Sequence, residues 1–163
     1  MKELFDIVDQ DDNVIGTTDK ETAHNNGDLH RVGVVFVFND QGQLYVQVRK
    51  DNGLYDHSVG GHISQGETFH AGTAREAQEE LGITQPLQKL SVFYSDGGAH
   101  SQHMFGLYEC VAETAWRFVP SEEVDEIIPM SLKDIRELMK TEPGKFTRGF
   151  VDTMREYVRL NSI

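Results

Sequence analysis

Three glutamates, Glu76, Glu79 and Glu80, lie within five residues of one another and form a compact set of possible metal ligands. On a helix that advances about 100° per residue, their side chains fall within an arc of roughly 100°. Because like charges three and four residues apart repel one another, this arrangement destabilises an isolated helix. A divalent cation such as Mg²⁺ prefers oxygen ligands and converts the repulsion into binding. The spacing therefore predicts a metal site on one face of a helix.

The opposite face of the same predicted helix is small and apolar, and we expect it to pack against the protein while the three carboxylates face outward. Its residues are Ala71, Ala74, Ala77 and Leu81. We expect the helix to run from about Thr68 to Leu81 and to end at Gly82, a residue type that adopts the left-handed conformation readily. Ser64 and Glu67 have the spacing of a capping box, so Glu67 has a structural interpretation.

The spacing of the charged and glycine residues is more specific than the helical pattern. Gly61 is followed after five residues by Glu67, and after seven more by the run Arg75-Glu76-Ala77-Gln78-Glu79-Glu80-Leu81-Gly82-Ile83. Over residues 61–83 the chain resembles the Nudix box, G-x5-E-x7-R-E-U-x-E-E-x-G-U. Ala77 is a soft departure, since a larger aliphatic residue is usual there. A merely solvated acidic helix face leaves the matching glycines and arginine to coincidence.

This resemblance implies a fold and a reaction. The implied fold is α/β, a Nudix-type α/β/α sandwich around a mixed β-sheet. The implied reaction is hydrolysis of a diphosphate linkage in a nucleotide-like or other small molecule, with Mg²⁺, or alternatively Mn²⁺, as cofactor. The implied metal ligands are the Gly61 carbonyl and the carboxylates of Glu76, Glu79 and Glu80.

The resemblance also implies roles for other residues of the box. Glu76 is the usual acceptor of a proton from the attacking water, oriented by its neighbour Arg75, although families differ on this base. Alternative bases outside the box are Glu122, Glu123 and Glu126. A solvated acidic loop is the plainer interpretation of those three residues. Arg75 has the plainer interpretation of a surface ion pair with Glu79, and Glu67 and Gly82 are expected to be structural.

A second resemblance covers roughly residues 4–110. The segment Ser58-Val59-Gly60-Gly61-His62 is similar to a motif of the isopentenyl-diphosphate-isomerase branch of the same superfamily, as are the segments around His30 and Arg49. In that branch the motif S-V-x-G-H carries a catalytic cysteine at x and ends in a metal-binding histidine. By this resemblance, Arg49 and Lys50 hold the diphosphate of the substrate.

Four histidines are candidates for a second metal site. His62 matches the metal-binding histidine of that motif, and His24 and His30 match its upstream partners approximately. His103 lies downstream, near the place where the isomerase branch supplies glutamates. Imidazole ligands suit Mn²⁺ or Zn²⁺. The alternative is that these are surface histidines or hydrogen-bonded anchors of loops.

Two departures from the isomerase pattern argue against isomerase activity. Gly60 occupies the position of the catalytic cysteine, and the residues nearest the expected glutamates are Ser101 and His103. We therefore expect a hydrolase of the isomerase-like subgroup. Isopentenyl-diphosphate delta-isomerase activity is the first alternative. A non-catalytic, nucleotide-sensing Nudix domain is the second, and a degenerate box would favour it.

The composition restricts the classes of partner. The formal net charge of −12 argues against broad nucleic-acid binding, which depends on Lys and Arg neutralising phosphates. No apolar run approaches the roughly 20 residues that a membrane helix needs, and the N-terminus is acidic rather than signal-like. The lone cysteine, Cys110, fits a reducing cytoplasm and is expected to be a buried thiol. We expect a cytoplasmic enzyme that binds a small diphosphate-containing substrate, with a homodimer as the commonest oligomer.

One domain over residues 1–163 is expected to position these groups. Residues 4–16 are predicted to form a hairpin, and residues 31–38 a strand buried on both faces. Residues 43–49 alternate and are expected to pair with that strand as a hairpin at the centre of the sheet. Further strands are predicted over 87–94, 104–111 and 124–129, and helices over 18–26, 131–140 and 147–160. The last helix carries a stripe expected in the core: Phe150, Val151, Met154, Tyr157 and Val158.

Overall fold

The structure is a computed structural model that describes residues 2–97 and 102–163. The strands in this part of the chain are β1 (Leu4–Val8), β2 (Val14–Asp19), β3 (His30–Phe38), β4 (Leu44–Val48), β5 (Tyr55–Asp56), β6 (Val59–His62), β7 (Gln88–Ser95), β8 (His103–Val111) and β9 (Ile127–Met130). The α-helices are α1 (Lys20–Asn26), α2 (Phe69–Leu81), α3 (Leu132–Thr141) and α4 (Arg148–Asn161). A short 3₁₀ turn, Pro143–Lys145, precedes α4.

β3 is the central strand of a mixed sheet. It pairs in parallel with β8 along its whole length, from His30 opposite His103 to Phe38 opposite Val111. Along its other edge it pairs antiparallel with β6 through residues 32–35, and its first residue pairs with β1. β6, the strand that contains Gly60 and Gly61, therefore lies directly beside the central strand.

The predicted central hairpin of β3 and β4 forms only at its base. The register between these strands is Phe38 opposite Leu44, after which β4 pairs with β5 and β9 instead. The prediction was only partly right because β6 occupies the edge of β3 that a full hairpin would need. The separation of β4 from β6 leaves a cleft lined by Gln47 of β4 and Gly60 of β6.

The residues of β3 alternate between two layers of helix, since successive side chains in a strand point to opposite faces. Val34, Phe36 and Phe38 pack into one apolar cluster with α3 and α4. Val35 and Val37 pack into a second cluster with α2. β3 is buried on both faces, as predicted, and helices cover both faces of the sheet. The α/β/α sandwich around a mixed sheet is confirmed.

The bounds of α2 match the prediction. Thr68 is the N-cap and accepts a hydrogen bond from the Ala71 N–H, and Gly82 ends the helix in the left-handed conformation with φ 64°. Ser64 and Glu67 do not cap the helix but close the preceding turn, since Glu67 Oε2 accepts a hydrogen bond from Ser64 N at 2.8 Å.

The orientation of α2 about its axis differs from the prediction. Its buried residues are Gly72, Thr73, Ala77 and Leu81. Ala71 is exposed, so the prediction that it packs was wrong. Thr73 contacts the sheet at Gly33 of β3, where an added β-carbon would lie 2.0 Å from Thr73 Oγ1. This contact turns Glu76 and Glu80 partly inward, towards β6, so only Glu79 faces outward as predicted.

The terminal elements follow the predictions closely. The N-terminal hairpin extends beyond residue 16 to Asp19, and α1 ends at Gly27 with φ 70°. α3 and α4 begin after the N-caps Ser131 and Thr147. The buried residues of the predicted stripe in α4 are Phe150, Met154 and Tyr157, and Val151 and Val158 are partly buried against the same cluster.

The remaining predictions concern single features. β5 is a short strand in a segment that was predicted to be a loop. Cys110 is buried, as predicted, and burial raises the pKa of its thiol to about 11. Ser101 and part of the expected connection 95–100 lie outside the described residues. Within residues 2–97 and 102–163, each helix is too short or too polar to cross a membrane.

Candidate active site

Arg75 on α2 ties the helix to the turn that precedes it. Its Nε–H donates to Glu67 Oε1 at 2.9 Å, and its NH2 group donates to Glu67 Oε2 at 3.0 Å and to the His62 carbonyl at 3.2 Å. A two-point contact between guanidinium and carboxylate fixes both groups in one plane. These hydrogen bonds lower the pKa of the Glu67 carboxyl, with Arg75 as the first cause. The geometry agrees with a structural role for Glu67.

Arg75 also orients the carboxylates that were predicted to bind metal. Its NH1 group donates to Glu76 Oε1 at 2.9 Å and to Glu79 Oε2 at 3.3 Å. The guanidinium is therefore shared among three glutamates. A surface ion pair with Glu79 alone does not describe it.

Gly61 makes room for the Glu76 carboxyl. A β-carbon at position 61 would lie 2.2 Å from Glu76 Cδ and 2.5 Å from Glu76 Oε2, well inside van der Waals contact. The Gly61 backbone is held in β6 opposite Gly33 of β3. The glycine is needed here because the carboxyl lies where a side chain of β6 would be.

Glu80 is the most enclosed of the three predicted ligands. Its Oε2 accepts hydrogen bonds from the Gly60 N–H at 3.2 Å and from Gln47 Nε2 at 3.1 Å. Burial raises the pKa of Glu80 to about 8; the Gly60 hydrogen bond opposes this, and the charge of Glu76 adds to it. Burial likewise raises the pKa of Glu76, against the hydrogen bond from Arg75. Glu79 is exposed.

A divalent cation fits this set of donors. The charge of Glu76 disfavours ionisation of Glu80, and the charge of Glu79 disfavours ionisation of Glu76, so a cation beside these carboxylates offsets the repulsion. Carboxylate and carbonyl oxygens are the ligands that hard cations prefer. The residues that would hold it are Gly61, through its carbonyl, with Glu76, Glu79 and Glu80.

A cavity of about 290 Å³ adjoins Glu80, between β4, β6 and the segment before β9, and neither Glu76 nor Glu79 lines it. Glu80 and Glu123 both line it, and the charge of Glu123 contributes to the raised pKa of Glu80. Of the three acidic alternatives from the sequence, Glu123 is the one that lines the cavity, whereas Glu122 and Glu126 are exposed residues outside its lining.

Lys50 lines the same cavity, but its ammonium group is engaged. Lys50 Nζ donates to the backbone carbonyls of Ser121 at 3.2 Å and Glu122 at 2.7 Å, and lies 3.9 Å from Asp125. These contacts hold the loop that carries Glu123 over the cavity. Lys50 is positioned for a structural task as well as for the predicted contact with a diphosphate.

Arg49 lies where the first cavity meets a second one and lines both. Its guanidinium makes a two-point contact with Asp51, through Nε at 3.0 Å and NH2 at 2.9 Å, and its NH1 group contacts Asp56 at 3.3 Å. The hydrogen bond with Asp51 is the first cause of the raised pKa of Arg49. Arg49, which was predicted to hold the diphosphate, thus lies in the site, where its guanidinium is paired with Asp51 and Asp56.

Asp56 and His57 belong to the site but carried no recognisable sequence signal. His57 is buried and lines both cavities, with Nδ1 2.8 Å from Asp56 Oδ1 and Nε2 2.7 Å from Thr153 Oγ1. Burial opposes ionisation of Asp56, but the His57 charge and hydrogen bonds from His57 and Thr147 lower its pKa. Gln47, which donates to Glu80, was also missed.

Three of the four predicted histidines come together, and two of them, His62 and His103, line the second cavity, whose volume is about 530 Å³. Ring nitrogens of His30, His62 and His103 lie within 4.8 Å of one another. They come from β3, β6 and β8, which are neighbours in the sheet. His24 lies on the exposed side of α1 and is not a member of this group.

The three clustered histidines are held neutral. Burial, then the charge of His30, lowers the pKa of His62 to about 4 and that of His103 to about 3. Burial also lowers the pKa of His30, whose Nδ1–H donates to the Asp28 carbonyl at 2.8 Å. This hydrogen bond leaves the lone pair on His30 Nε2. Neutral imidazoles of this kind are suitable ligands for a transition metal ion.

The family model of the NUDIX domain matches residues 28–150. An isopentenyl-diphosphate delta-isomerase of Serratia proteamaculans is 31% identical over 96% of this chain and 92% of its own length. An uncharacterized Nudix hydrolase of Streptomyces coelicolor is 33% identical over 76% of this chain and 77% of its own length.

Solved structures give the same result for the fold. A crystal structure of a Deinococcus radiodurans protein superposes with a TM-score of 0.76 at 25% identity, covering 94% of this chain and 98% of the other. The MutT protein of Methanosarcina mazei superposes with a TM-score of 0.65 at 20% identity, covering 83% of this chain and 96% of the other. The chain belongs to the Nudix family and resembles the isopentenyl-diphosphate-isomerase group within it.

Proposed function

We propose that this protein is a Mg²⁺-dependent hydrolase that cleaves a diphosphate linkage in a small molecule. The observation that carries the proposal is the enclosed Glu80 carboxyl, which shares one cavity with Arg49 and lies on the helix that carries Glu76. A bound cation favours the ionised form of a buried carboxyl that lies close to other acidic groups, and a raised pKa is typical of such a site when the cation is absent. The same cavity holds the arginine that an anionic substrate needs.

In the proposed reaction, the oxygen of a water molecule bonds to one phosphorus and the bond from that phosphorus to the bridging oxygen breaks. The bridging oxygen leaves on the other phosphate. Glu76, held by Arg75 at 2.9 Å, accepts the proton that the water loses. Arg49 binds phosphate oxygens through its guanidinium. When bound at Gly61, Glu76, Glu79 and Glu80, Mg²⁺ or Mn²⁺ supplies positive charge for the phosphate oxygens.

The second cavity supports a substrate that has an organic group beyond the diphosphate. It joins the first cavity at Arg49, Asp56, His57 and Gly60, and its walls include the apolar side chains of Val32 and Phe105. Its rim carries Lys20 and Arg148, local positive charge on a chain of net charge −12. We propose that the protein acts on a small molecule and not on a nucleic acid or a membrane. We also propose that it forms a homodimer.

The test is a panel of diphosphate compounds with Mg²⁺ or Mn²⁺, followed by release of phosphate or pyrophosphate. Glu79→Gln and Glu80→Gln should abolish turnover while the circular dichroism spectrum stays that of the folded protein. Chelation with EDTA should do the same to the native chain. Full turnover in either variant, or turnover unaffected by EDTA, would contradict the proposal.

Isomerisation of isopentenyl diphosphate is the second candidate, because relatives bearing that name match nearly the whole chain. Gly60 argues against it, since this position has no side chain to move a proton at a substrate carbon. Incubation with isopentenyl diphosphate in deuterated water distinguishes the two reactions. Deuterium bound to carbon in the recovered diphosphate would favour isomerisation, and its absence is the expected result.

We also propose that His30, His62 and His103 bind a transition metal ion, Mn²⁺ or Zn²⁺. The support is the proximity of three neutral imidazoles, each in a separate strand. Calorimetric titration with Zn²⁺ in the presence of saturating Mg²⁺ should show a Zn²⁺ site in the native protein that is lost in His62→Ala. Unchanged binding in the variant would contradict this proposal.

A further inference from the structure

We infer that Asp51 and Asp56, which both pair with Arg49, have opposite effects on substrate binding. Asp56 is a fixed anchor that positions the guanidinium, whereas Asp51 is a displaceable carboxylate occupying the place of a substrate phosphate. The inference rests on the proposed function in one respect, namely that the diphosphate binds at Arg49. It adds a positioning residue and a competing residue that the Nudix box does not contain.

The contact between Asp51 and Arg49 has the geometry of an anion held by a guanidinium. Asp51 Oδ1 and Oδ2 accept from Nε and NH2 of Arg49 at 3.0 and 2.9 Å. Two oxygens of a phosphate group fit the same pair of donors. The Asp51 side chain is 63% exposed and lies at the tip of the turn that Arg49 and Gly53 close by a backbone hydrogen bond of 2.8 Å. It is therefore free to leave.

The contact between Asp56 and Arg49 is built differently. The Asp56 side chain is 19% exposed. Its Oδ1 accepts from the His57 backbone N–H at 2.8 Å and from Thr147 Oγ1 at 3.0 Å, and lies 2.8 Å from His57 Nδ1. Its Oδ2 faces Arg49 NH1 at 3.3 Å. Three contacts from two residues, His57 and Thr147, hold this carboxylate in place while Arg49 exchanges its other partner.

The charges agree with this division. Arg49 with both aspartates carries one net negative charge, and this opposes an incoming anion. Without Asp51, the pair of Arg49 and Asp56 is neutral, and Nε and NH2 of Arg49 lose the carboxylate that they hold in this structure. Asp51 itself lines the first cavity together with Glu80, so a phosphate that displaces Asp51 shares that cavity with one of the proposed metal ligands.

The experiment measures binding of methylenediphosphonate, a non-hydrolysable diphosphate, to the full chain by calorimetry at fixed Mg²⁺ and ionic strength. Asp51→Asn should bind it roughly 2- to 5-fold more tightly, the factor that corresponds to an exposed ion pair. Asp56→Asn should bind it at least about tenfold more weakly, because it breaks an enclosed pair. Asp40→Asn, an exposed aspartate on the β3–β4 turn at the other end of β4, is the matched control and should bind as the native chain does.

A double-mutant cycle separates the Arg49 contact from a general effect of charge. In an Arg49→Ala background, Asp51→Asn should no longer tighten binding. Equal or weaker binding by Asp51→Asn, tightening that persists without Arg49, or a native chain that does not bind methylenediphosphonate would overturn the inference. The result for Asp51→Asn remains informative even if Asp56→Asn fails to fold, because unfolding cannot produce a gain in affinity.

The inference and the proposed function fail separately. Metal-dependent turnover of a panel compound without tightening in Asp51→Asn removes only the inference. If the two aspartate variants change affinity in opposite directions but no panel compound is turned over, the hydrolase proposal is wrong. The anion site at Arg49 is then still supported.

Discussion

At the scale of a single residue, the burial of the Glu80 carboxyl determines its pKa and therefore how it binds a cation. It receives two hydrogen bonds, yet burial and the charge of Glu76 still raise its pKa to about 8. A group that holds its proton near neutral pH is a poor metal ligand until a cation displaces that proton. Binding of a cation here is therefore expected to tighten as the pH rises.

The raised pKa of Glu80 predicts a pH-dependent stability in EDTA. Between the ordinary value of 4.5 and about 8, the folded chain keeps a proton that the unfolded chain loses. This contribution to stability is complete below pH 4.5 and is lost as the pH rises through 8. Glu80→Gln has no such proton, so the melting temperature of the native chain relative to this variant should fall from pH 5 to pH 8.5. A constant difference between the two curves would contradict the pKa shift.

Gly61 and Gly60 provide a matched pair of substitutions. Gly61→Ala places a β-carbon 2.2 Å from Glu76 Cδ, whereas the atom nearest a β-carbon at Gly60 is His57 Nδ1 at 3.5 Å. Displacing Glu76 by about 1 Å should lower kcat/KM roughly 100-fold. Gly60→Ala should stay within a few-fold of the native value. Steady-state kinetics on one panel substrate makes the comparison. Equal losses of kcat/KM in the two variants would contradict the claim that the position of the Glu76 carboxyl depends on Gly61.

At the scale of elements, α2 packs on the sheet through Thr73 and through an apolar face that includes Ala77 and Leu81. Thr73 fits into the gap left by Gly33 on β3, and this turns Glu76 and Glu80 towards β6. The sequence predicted the bounds of the helix from Thr68 and Gly82, because caps are local signals. It did not predict the exposure of Ala71, because the orientation depends on a glycine in a strand that is distant in sequence.

The contact between Gly33 and Thr73 predicts a loss of stability and a partial rescue. Gly33→Ala should destabilise the fold by roughly 1–3 kcal/mol, the usual cost of overpacking. Thr73→Ala removes the hydroxyl at 2.0 Å and should recover part of that loss in the double variant. Gly16→Ala on β2, where the nearest atom is 3.5 Å away, is the control. Urea unfolding gives the free energies, and additive losses in the double variant would contradict the contact.

At the scale of the whole molecule, the site depends on how distant strands are paired. The register of β3 with β8 brings His30 opposite His103, and β6 adds His62 beside them. Family resemblance predicted His30 and His62 and also His24, which lies elsewhere, on α1. His103 was a candidate although it stands where the isomerase branch has glutamates. Asp56 and His57 were missed because a two-residue strand has no periodic signal and their partners, Thr147 and Thr153, lie more than 90 residues later.

The strands that pair with β4 were likewise not predictable from the sequence pattern. Alternation predicted which face of β4 is buried, and Leu44 and Val46 are indeed fully buried. Alternation carries no information on which neighbour a strand keeps, so the opening between β4 and β6 was not predicted. That opening holds Arg49, Glu80 and Glu123 around one cavity. The residues of the box were therefore predicted from sequence, whereas the shape that combines them came from the topology.

The most direct test of the central claim is to locate the oxygen that enters the product. The diphosphate panel is incubated with Mg²⁺ in water enriched in ¹⁸O, and the phosphate-containing products are examined by mass spectrometry. We predict one ¹⁸O atom in a phosphate product of at least one compound, absent in EDTA and in Glu80→Gln. A panel without any such incorporation, together with carbon-bound deuterium in isopentenyl diphosphate incubated in deuterated water, would contradict hydrolysis.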